Sequence, residues 1–185
     1  MEHSELSQPS PWVCRWAPLF PPGAKVLDLA CGEGRHARYL AAMGLRVEAV
    51  DRDPEALAAL AGQGIATLRA DLENAPWPYA GHSFEGIVVC NYLWRPLFPR
   101  ILEALAPRGL LIYETFMVGN ERYGRPSNPD FLLKPYELPE LVRGRLQVIA
   151  FEQGRVDLPK PAVIQRLCAA NGEGELPLQP APVRQ

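Results

Sequence analysis

The stretch from Val26 to Asp53, VLDLACGEGRHARYLAAMGLRVEAVDRD, constrains the fold of this chain more than any other feature. An apolar run closes on a glycine pair, an amphipathic segment follows, and a second apolar run ends at Asp51. This order predicts a strand, a glycine turn, a helix and a second strand. Units of this kind bind nucleoside-bearing ligands at the glycine turn, so the stretch predicts both a fold and a class of ligand.

The same alternation of strand and helix patterns continues along the chain. The predicted strands are 25–30, 45–51, 65–70, 84–90 and 110–116, and the predicted helices are 10–20, 34–44, 53–62, 95–109 and 136–144. Strands that alternate with helices pair in parallel through right-handed crossovers. Two further runs, 145–154 and 162–169, leave no room for a helix between them and predict an antiparallel hairpin. The predicted fold class is therefore α/β: a doubly wound, mostly parallel seven-stranded sheet with helices on both faces and a C-terminal antiparallel hairpin.

Length and composition limit the organisation and the partners. A chain of 185 residues is one domain by size, and we divide it into an N-terminal extension with a short helix (1–22), a domain (23–170) and a disordered tail (171–185). A net charge of -2 argues against a nucleic-acid partner. The chain has neither a secretory signal pattern nor an apolar run of about 20 residues, so we expect a cytoplasmic protein with no membrane partner.

The four cysteines are scattered without the spacing of a metal or redox site. They are typical of thiols in a reducing compartment, and we assign no metal.

The glycine turn alone does not identify the cofactor. The spacing Gly32-x-Gly34-x-x-Ala37 fits the dinucleotide fingerprint, and Asp51 lies where a carboxylate would accept ribose hydroxyls in either a nicotinamide dinucleotide or S-adenosylmethionine. A lone match of this kind is weak, and the decision between the two cofactors depends on other residues.

Three features favour S-adenosylmethionine. Asp28 lies four residues before Gly32, where a carboxylate opposes a pyrophosphate but suits a ligand with an ammonium and a sulfonium. The third strand ends at Asp71, whose carboxylate, together with the amide of Leu72, can pair with the amino edge of adenine. The chain is also too short for a second mononucleotide-binding half, and the terminal hairpin takes its place.

The chain from about Lys25 to Ala169 resembles a class I S-adenosylmethionine-dependent methyltransferase. The motifs VLDLACGEGR, VEAVDRD, RADLEN, FEGIVVCNYLW and LAPRGLLIYETF occur in the order of that family. The segment FLLKPYEL and the final hairpin make the chain similar to small bacterial methyltransferases of the tellurite-resistance type. The resemblance implies a Rossmann-like methyltransferase fold, S-adenosyl-L-methionine as cofactor, and a role for Asn91 at the methionine end of that cofactor.

The motifs supply the candidate cofactor-binding residues. These are Asp28, Ala30, Gly32, Gly34, Arg35, Asp51, Arg52, Asp71, Leu72 and Asn91. Three alternatives stay open: Asp28 contacts the cofactor or only holds the glycine turn, Arg35 binds the methionine carboxylate or lies on the surface, and Asp71 binds adenine or only forms a turn.

We assign no catalytic residue, because the sulfonium is already a strong methyl donor and alignment can suffice. His36 and His82 are interpreted as surface or hydrogen-bonded side chains, not as general bases. The acceptor pocket is predicted between the N-terminal helix, the Asn91–Pro96 turn and the Met117–Pro135 segment, which is either a lid or a self-packed excursion.

The candidate acceptor-binding residues are Tyr92, Trp94, Tyr123, Arg125 and Phe131. A pocket of this kind suits a small-molecule acceptor, and the sequence leaves the oligomeric state open. The alternative functions are a catalytically silent module with this fold and a nicotinamide-dependent oxidoreductase.

Overall fold

The computed structural model describes residues 8–174, which form one seven-stranded sheet covered by helices on both faces. The strands are β1 (Lys25–Leu29), β2 (Arg46–Asp51), β3 (Ala66–Arg69), β4 (Phe84–Cys90), β5 (Leu105–Phe116), β6 (Gln147–Val156) and β7 (Ala162–Ala170). The helices are α1 (Pro11–Trp16), α2 (Arg35–Ala42), α3 (Pro54–Ala58), α4 (Phe98–Glu103) and α5 (Glu137–Val142). Single 3-10 turns span Ala17–Leu19, Arg95–Leu97, Asn120–Arg122 and Pro129–Phe131.

The sheet confirms the predicted fold class. Its strand order is β3-β2-β1-β4-β5-β7-β6. The first five strands pair in parallel, and β7 is antiparallel to both β5 and β6. The order reverses between β1 and β4, and this is the point at which open parallel sheets bind ligands.

The domain boundaries at residues 22 and 170 stay predictions. Residues 1–7 of the predicted extension and 175–185 of the predicted tail lie outside the described residues. Within 8–174, no helix combines the length and the apolar character that crossing a membrane requires.

The short N-terminal helix α1 begins as predicted, with Ser10 as cap and Pro11 at the first helical position. Its two tryptophans, Trp12 and Trp16, are each 1% exposed, and their rings meet edge to face at 5.6 Å. The indole Nε1 of Trp12 donates to the carbonyl of Leu167 on β7 at 3.2 Å. Helix α1 therefore packs into one of the two core layers beside the sheet.

The predicted helix 95–109 is too long. Helix α4 ends at Glu103, and β5 already begins at Leu105. The pairing of β4 with β5 shifts register between Phe84 and Gly86, and Arg108 has a φ of +64°. The chain after β7 pairs with this bulge, because the main-chain amide of Asn171 donates to the carbonyl of Gly109 at 2.8 Å. This stretch thus pairs with residues far along the chain instead of continuing the helix.

The burial of α1 predicts that its packing is needed for folding. Trp12→Ala should lower the free energy of unfolding by about 3–5 kcal/mol, because it removes a large buried side chain and its hydrogen bond. Urea unfolding followed by fluorescence or circular dichroism measures the change. The control Leu158→Ala, at a side chain that is 80% exposed, should stay within about 0.5 kcal/mol. Equal losses in the two variants would contradict the core position of α1.

Candidate functional site

Two adjoining cavities open beside the carboxyl ends of β1, β2 and β4. Their volumes are about 300 and 310 Å³, and both are lined by Ala30 and Asn91. The first cavity brings together the predicted residues Ala30, Asp51, Arg52, Asp71, Leu72 and Asn91. The second brings together Ala30, Gly32, Arg35 and Asn91. Most of the predicted cofactor-binding set therefore meets at one edge of the sheet.

The two shared residues have an unusual backbone. Ala30 has a φ of +54° and Asn91 a φ of +55°, both in the left-handed region that side chains other than glycine rarely adopt. The main-chain amide of Asn91 donates to the carbonyl of Glu114 at 2.9 Å, which holds this turn against β5. Backbone strain of this kind, held in place by neighbouring strands, is typical of ligand-binding sites.

The carboxylate of Asp51 closes the glycine turn. Its Oδ2 accepts from the main-chain amide of Gly32 at 2.8 Å, and its Oδ1 accepts from the amide of Asp53 at 3.0 Å. Each carboxylate oxygen has a second lone pair. Asp51 can therefore hold the turn and still accept hydroxyl groups of a ligand in the cavity.

The two glycines of the turn are needed for different reasons, although both have positive φ. A Cβ on Gly32 would point into open space, so this glycine leaves room beside the cavity. A Cβ on Gly34 would come within 2.4 Å of a methyl group of Leu60, a fully buried side chain. Gly34 is therefore explained by packing between α2 and the segment after α3, and it does not line either cavity.

Asp28 is a buried carboxyl group directly behind the glycine turn. It is 1% exposed, and within the described residues its Oδ2 has no hydrogen-bond partner. Burial raises its pKa to about 7, against the opposing effects of the Ala37 amide and Arg35. A buried acceptor with a free oxygen fits a ligand that brings a cationic donor.

Asp71 lies in the first cavity and also forms a turn. Its Oδ1 accepts from the amides of Glu73 at 3.0 Å and Asn74 at 3.1 Å, and its Oδ2 accepts from the side chain of Asn74. Hydrogen bonds, chiefly that from the Asn74 side chain, lower the pKa of Asp71. The turn alternative thus has direct structural support, and contact with adenine stays a prediction.

The N-terminal segment reaches the second cavity. Arg35 Nη1 donates to the carbonyl of Gln8 at 3.3 Å, and the amide of Ser10 donates to Nε2 of His36 at 3.1 Å. Burial, with the charge of Arg35 as a smaller cause, lowers the pKa of His36 to about 3, so its imidazole is neutral at physiological pH. His36 is a hydrogen-bonded residue, as expected, whereas His82 is exposed.

Some residues of the site were not predicted. Among those lining the cavities are Glu73, Cys31, Glu33, His36, Arg38 and Cys90. Beside them, Glu114 accepts from the hydroxyl of Ser10 at 2.7 Å and lies opposite Cys90 in the sheet. Glu114 follows the apolar run of β5, so the strand-end argument that selects Asp51 could also have selected Glu114.

The predicted acceptor-binding residues do not all converge. Tyr92 lines the first cavity, whereas Trp94, Tyr123, Arg125 and Phe131 line neither cavity in the described part of the chain. Phe131 lies between Asp130 and Leu132, and the guanidinium of Arg95 donates to the carbonyls of these two residues. The ring of Tyr123 instead lies under Arg155 of β6, whose guanidinium carbon is 5.5 Å from the ring centre.

Comparison by sequence points to one protein family. Residues 26–109, which run from β1 into the start of β5, match the family model described as a methyltransferase domain. No curated protein sequence matches the chain.

Comparison by structure finds the same fold in several solved proteins. TehB from Haemophilus influenzae aligns with a TM-score of 0.74 and 19% identity over 86% of this chain and 61% of its own, so the described chain spans less than two thirds of that protein. A TehB-like methyltransferase from Corynebacterium glutamicum has a TM-score of 0.62 and 20% identity, with 88% of each chain covered. The N-methyltransferase NodS from Bradyrhizobium japonicum, in complex with S-adenosyl-L-homocysteine, has a TM-score of 0.65 and 16% identity, covering 88% of this chain and 84% of its own.

The environment of Asp28 predicts a pH-dependent stability. The pKa of Asp28 is raised to about 7 in the folded protein, so the folded protein binds a proton at Asp28 more tightly than the unfolded chain does. This proton binding stabilises the fold at low pH, and the stabilisation is lost as the pH rises through 7. Asp28→Asn does not titrate and keeps an oxygen that can accept from Ala37. The parent protein should therefore lose stability from pH 5 to pH 8 in a way that the variant does not. The free energy of unfolding of the variant minus that of the parent protein should be about 1–3 kcal/mol higher at pH 8 than at pH 5.

Urea unfolding of both proteins at the two pH values measures this difference. Asp157→Asn, at a side chain that is 71% exposed, serves as the control for an exposed carboxylate. A stability difference between Asp28→Asn and the parent protein that is the same at pH 5 and pH 8 would refute the raised pKa.

Proposed function

We propose that the methyltransferase domain of residues 26–109, together with the strands that complete its sheet, transfers a methyl group from S-adenosylmethionine to a small-molecule nucleophile. The observation that carries this proposal is the pair of carboxyl groups around the glycine turn. Asp51 binds the turn itself, and Asp28 lies buried behind it with an unpartnered oxygen. Asp51 suits the ribose of either cofactor, whereas Asp28 suits a ligand with cationic groups and opposes a pyrophosphate.

The lining residues fit such a ligand along the length of the site. In this proposal Asp51 accepts the ribose hydroxyls, and Asp71 with Leu72 contacts adenine in the first cavity. Asn91 and Arg35 lie on the second cavity, where the methionine end would be bound. The complex of NodS with S-adenosyl-L-homocysteine, a protein of the same fold, supports a ligand of this class.

The donor, when bound, supplies an electrophilic methyl group, so this chain need not generate one. Its residues would bind and orient the two reactants and exclude water between them. Orientation of this kind contributes up to about 7–11 kcal/mol to lowering a reaction barrier. His36 lines the second cavity, but its Nε2 already accepts a hydrogen bond from the amide of Ser10, so we assign it no proton transfer.

The surroundings of the site favour a small acceptor. The N-terminal segment approaches the second cavity through Ser10 and Gln8, and Arg95, four residues after Asn91, binds the segment after β5 at the carbonyl of Leu132. The net charge of -2 gives no overall basic field that would attract a nucleic acid.

Calorimetry distinguishes the proposed cofactor from its rival. S-adenosylhomocysteine and S-adenosylmethionine should bind with dissociation constants of about 1–100 μM, and NAD should not bind at millimolar concentration. No binding of either adenosyl compound would refute the proposal, and binding of NAD alone would favour an oxidoreductase. If the cofactor binds, a screen of thiols, halides, oxyanions and amines for S-adenosylhomocysteine formation tests turnover. Binding without any turnover would favour the catalytically silent module.

The two glycines provide a matched pair of substitutions. Gly32→Ala places a methyl group in open space beside the cavity and strains the turn, so we expect at least about a tenfold loss of S-adenosylhomocysteine affinity with a modest loss of stability. Gly34→Ala meets Leu60 and should mainly lower the unfolding midpoint. Calorimetry and thermal unfolding of both variants measure the two effects. The reverse pattern, with affinity lost mainly in Gly34→Ala, would contradict the separate roles of the two glycines.

A further inference from the structure

Arg95 joins the turn after β4 to residues 130–137. It follows the cavity-lining turn at Asn91 and Tyr92, and its guanidinium makes four hydrogen bonds. Nε and Nη2 donate to the two carboxylate oxygens of Glu137 at 2.5 and 3.0 Å. Nη1 donates to the carbonyl of Asp130 at 2.6 Å, and Nη2 also donates to that of Leu132 at 2.9 Å. One planar side chain thus binds α5 and the segment before it.

Glu137 is a matched partner for this arginine. Its side chain is 14% exposed, and its Oε2 also accepts from the main-chain amide of Lys134 at 2.7 Å. Burial alone would raise the pKa of Glu137, but the hydrogen bonds from Arg95 and Lys134 lower it overall. A half-buried, doubly hydrogen-bonded pair of this geometry is stronger than an ordinary surface ion pair.

The segment of residues 117–136, called the arc below, is closed at its base. The amide of Val118 donates to the carbonyl of Leu133 at 2.9 Å, and the amide of Leu133 donates to that of Phe116 at 3.0 Å. Two buried side chains add to this. Asn120 accepts from the amide of Val163 at 3.1 Å, and Gln165 accepts from that of Leu138 at 3.1 Å. The arc is therefore anchored to β5, β7 and α5.

The turn on the other side of Arg95 is fixed as well. The hydroxyl of Tyr113, a fully buried residue of β5, donates to the carbonyl of Tyr92 at 2.8 Å. The ring of Tyr113 stacks on Phe98 of α4, with ring centres 5.1 Å apart. Arg95 thus extends from a rigid turn that lines the cofactor cavities to the arc.

We infer that Arg95 is a positioning residue of this site: it holds the arc against the turn that carries Asn91 and Tyr92, so that the acceptor side of the site is a preformed wall and not a closing lid. This inference rests on the proposed function. Of the two alternatives that the sequence leaves open, it selects the packed excursion. It also gives Arg95, a residue outside the family motifs, a role in binding.

The test compares Arg95→Lys with the control Arg100→Lys. Lysine keeps the charge but lacks the planar guanidinium that makes these four hydrogen bonds, two of them to the Glu137 carboxylate. Arg100 pairs with Glu103 on the exposed face of α4, with its side chain 57% exposed, and its replacement leaves the site untouched. Hydrogen exchange of the peptide spanning residues 128–134 and calorimetry with S-adenosylhomocysteine are measured for both variants, well below the unfolding midpoint.

We expect Arg95→Lys to exchange this peptide at least about tenfold faster and to bind S-adenosylhomocysteine about 3–10-fold more weakly, while Arg100→Lys matches the parent protein. Glu137→Gln, which keeps the shape of the partner, should show the same changes to a smaller degree. A merely structural arginine would lower the unfolding midpoint without changing the affinity of the folded protein. Unchanged exchange, or faster exchange with unchanged affinity, would overturn the inference. If the parent protein itself binds no S-adenosylhomocysteine, the proposed function fails, and the exchange measurement still decides whether Arg95 holds the arc.

Discussion

The hydrogen bond from the amide of Gly32 to the carboxylate of Asp51 is the contact on which the geometry of the site depends. It joins the turn after β1 to the end of β2, the two strands that flank helix α2. The positions of these two strand ends relative to each other are therefore fixed beside the cavities. Hydrogen bonds to a charged acceptor contribute about 1.5–3 kcal/mol each. Because the same carboxylate faces the first cavity, the group proposed to hold a ribose is oriented before any ligand arrives.

Asp28 at this edge of the sheet destabilises the folded chain. A carboxyl group among fully buried leucines, with one oxygen unpartnered, lowers the stability of the folded chain above neutral pH. An asparagine or a serine would fill the position without a charge. Polar groups that a fold retains at such a cost occur mainly where a ligand completes their hydrogen bonds. The strained backbone at Ala30 and Asn91 agrees with the same interpretation.

Local patterns were sufficient for most of the sheet and for the glycine turn, because strand and helix periods, caps and strand-end carboxylates lie within short stretches of sequence. They failed at residues 104–109, where the chain enters β5 and pairs with Asn171 although the periodicity would continue the helix. They also gave no role to Arg95, which contacts residues far away along the chain, and a single sequence without the fold gives no sign of those partners. Glu114 was missed for another reason, because the strand-end argument was not applied to β5.

The two sides of the site are built by different means. The proposed cofactor side is built by parallel strand pairing. Parallel pairing brings the carboxyl ends of the strands to one edge of the sheet, and the acidic side chains at those ends lie there together. The proposed acceptor side is held by individual polar side chains, Arg95, Asn120 and Gln165, which fix the base of the arc. The tip of the arc, residues 121–129, carries exposed side chains on this anchored base. Substitutions at the tip are therefore expected to leave both the sheet and the two cavities undisturbed.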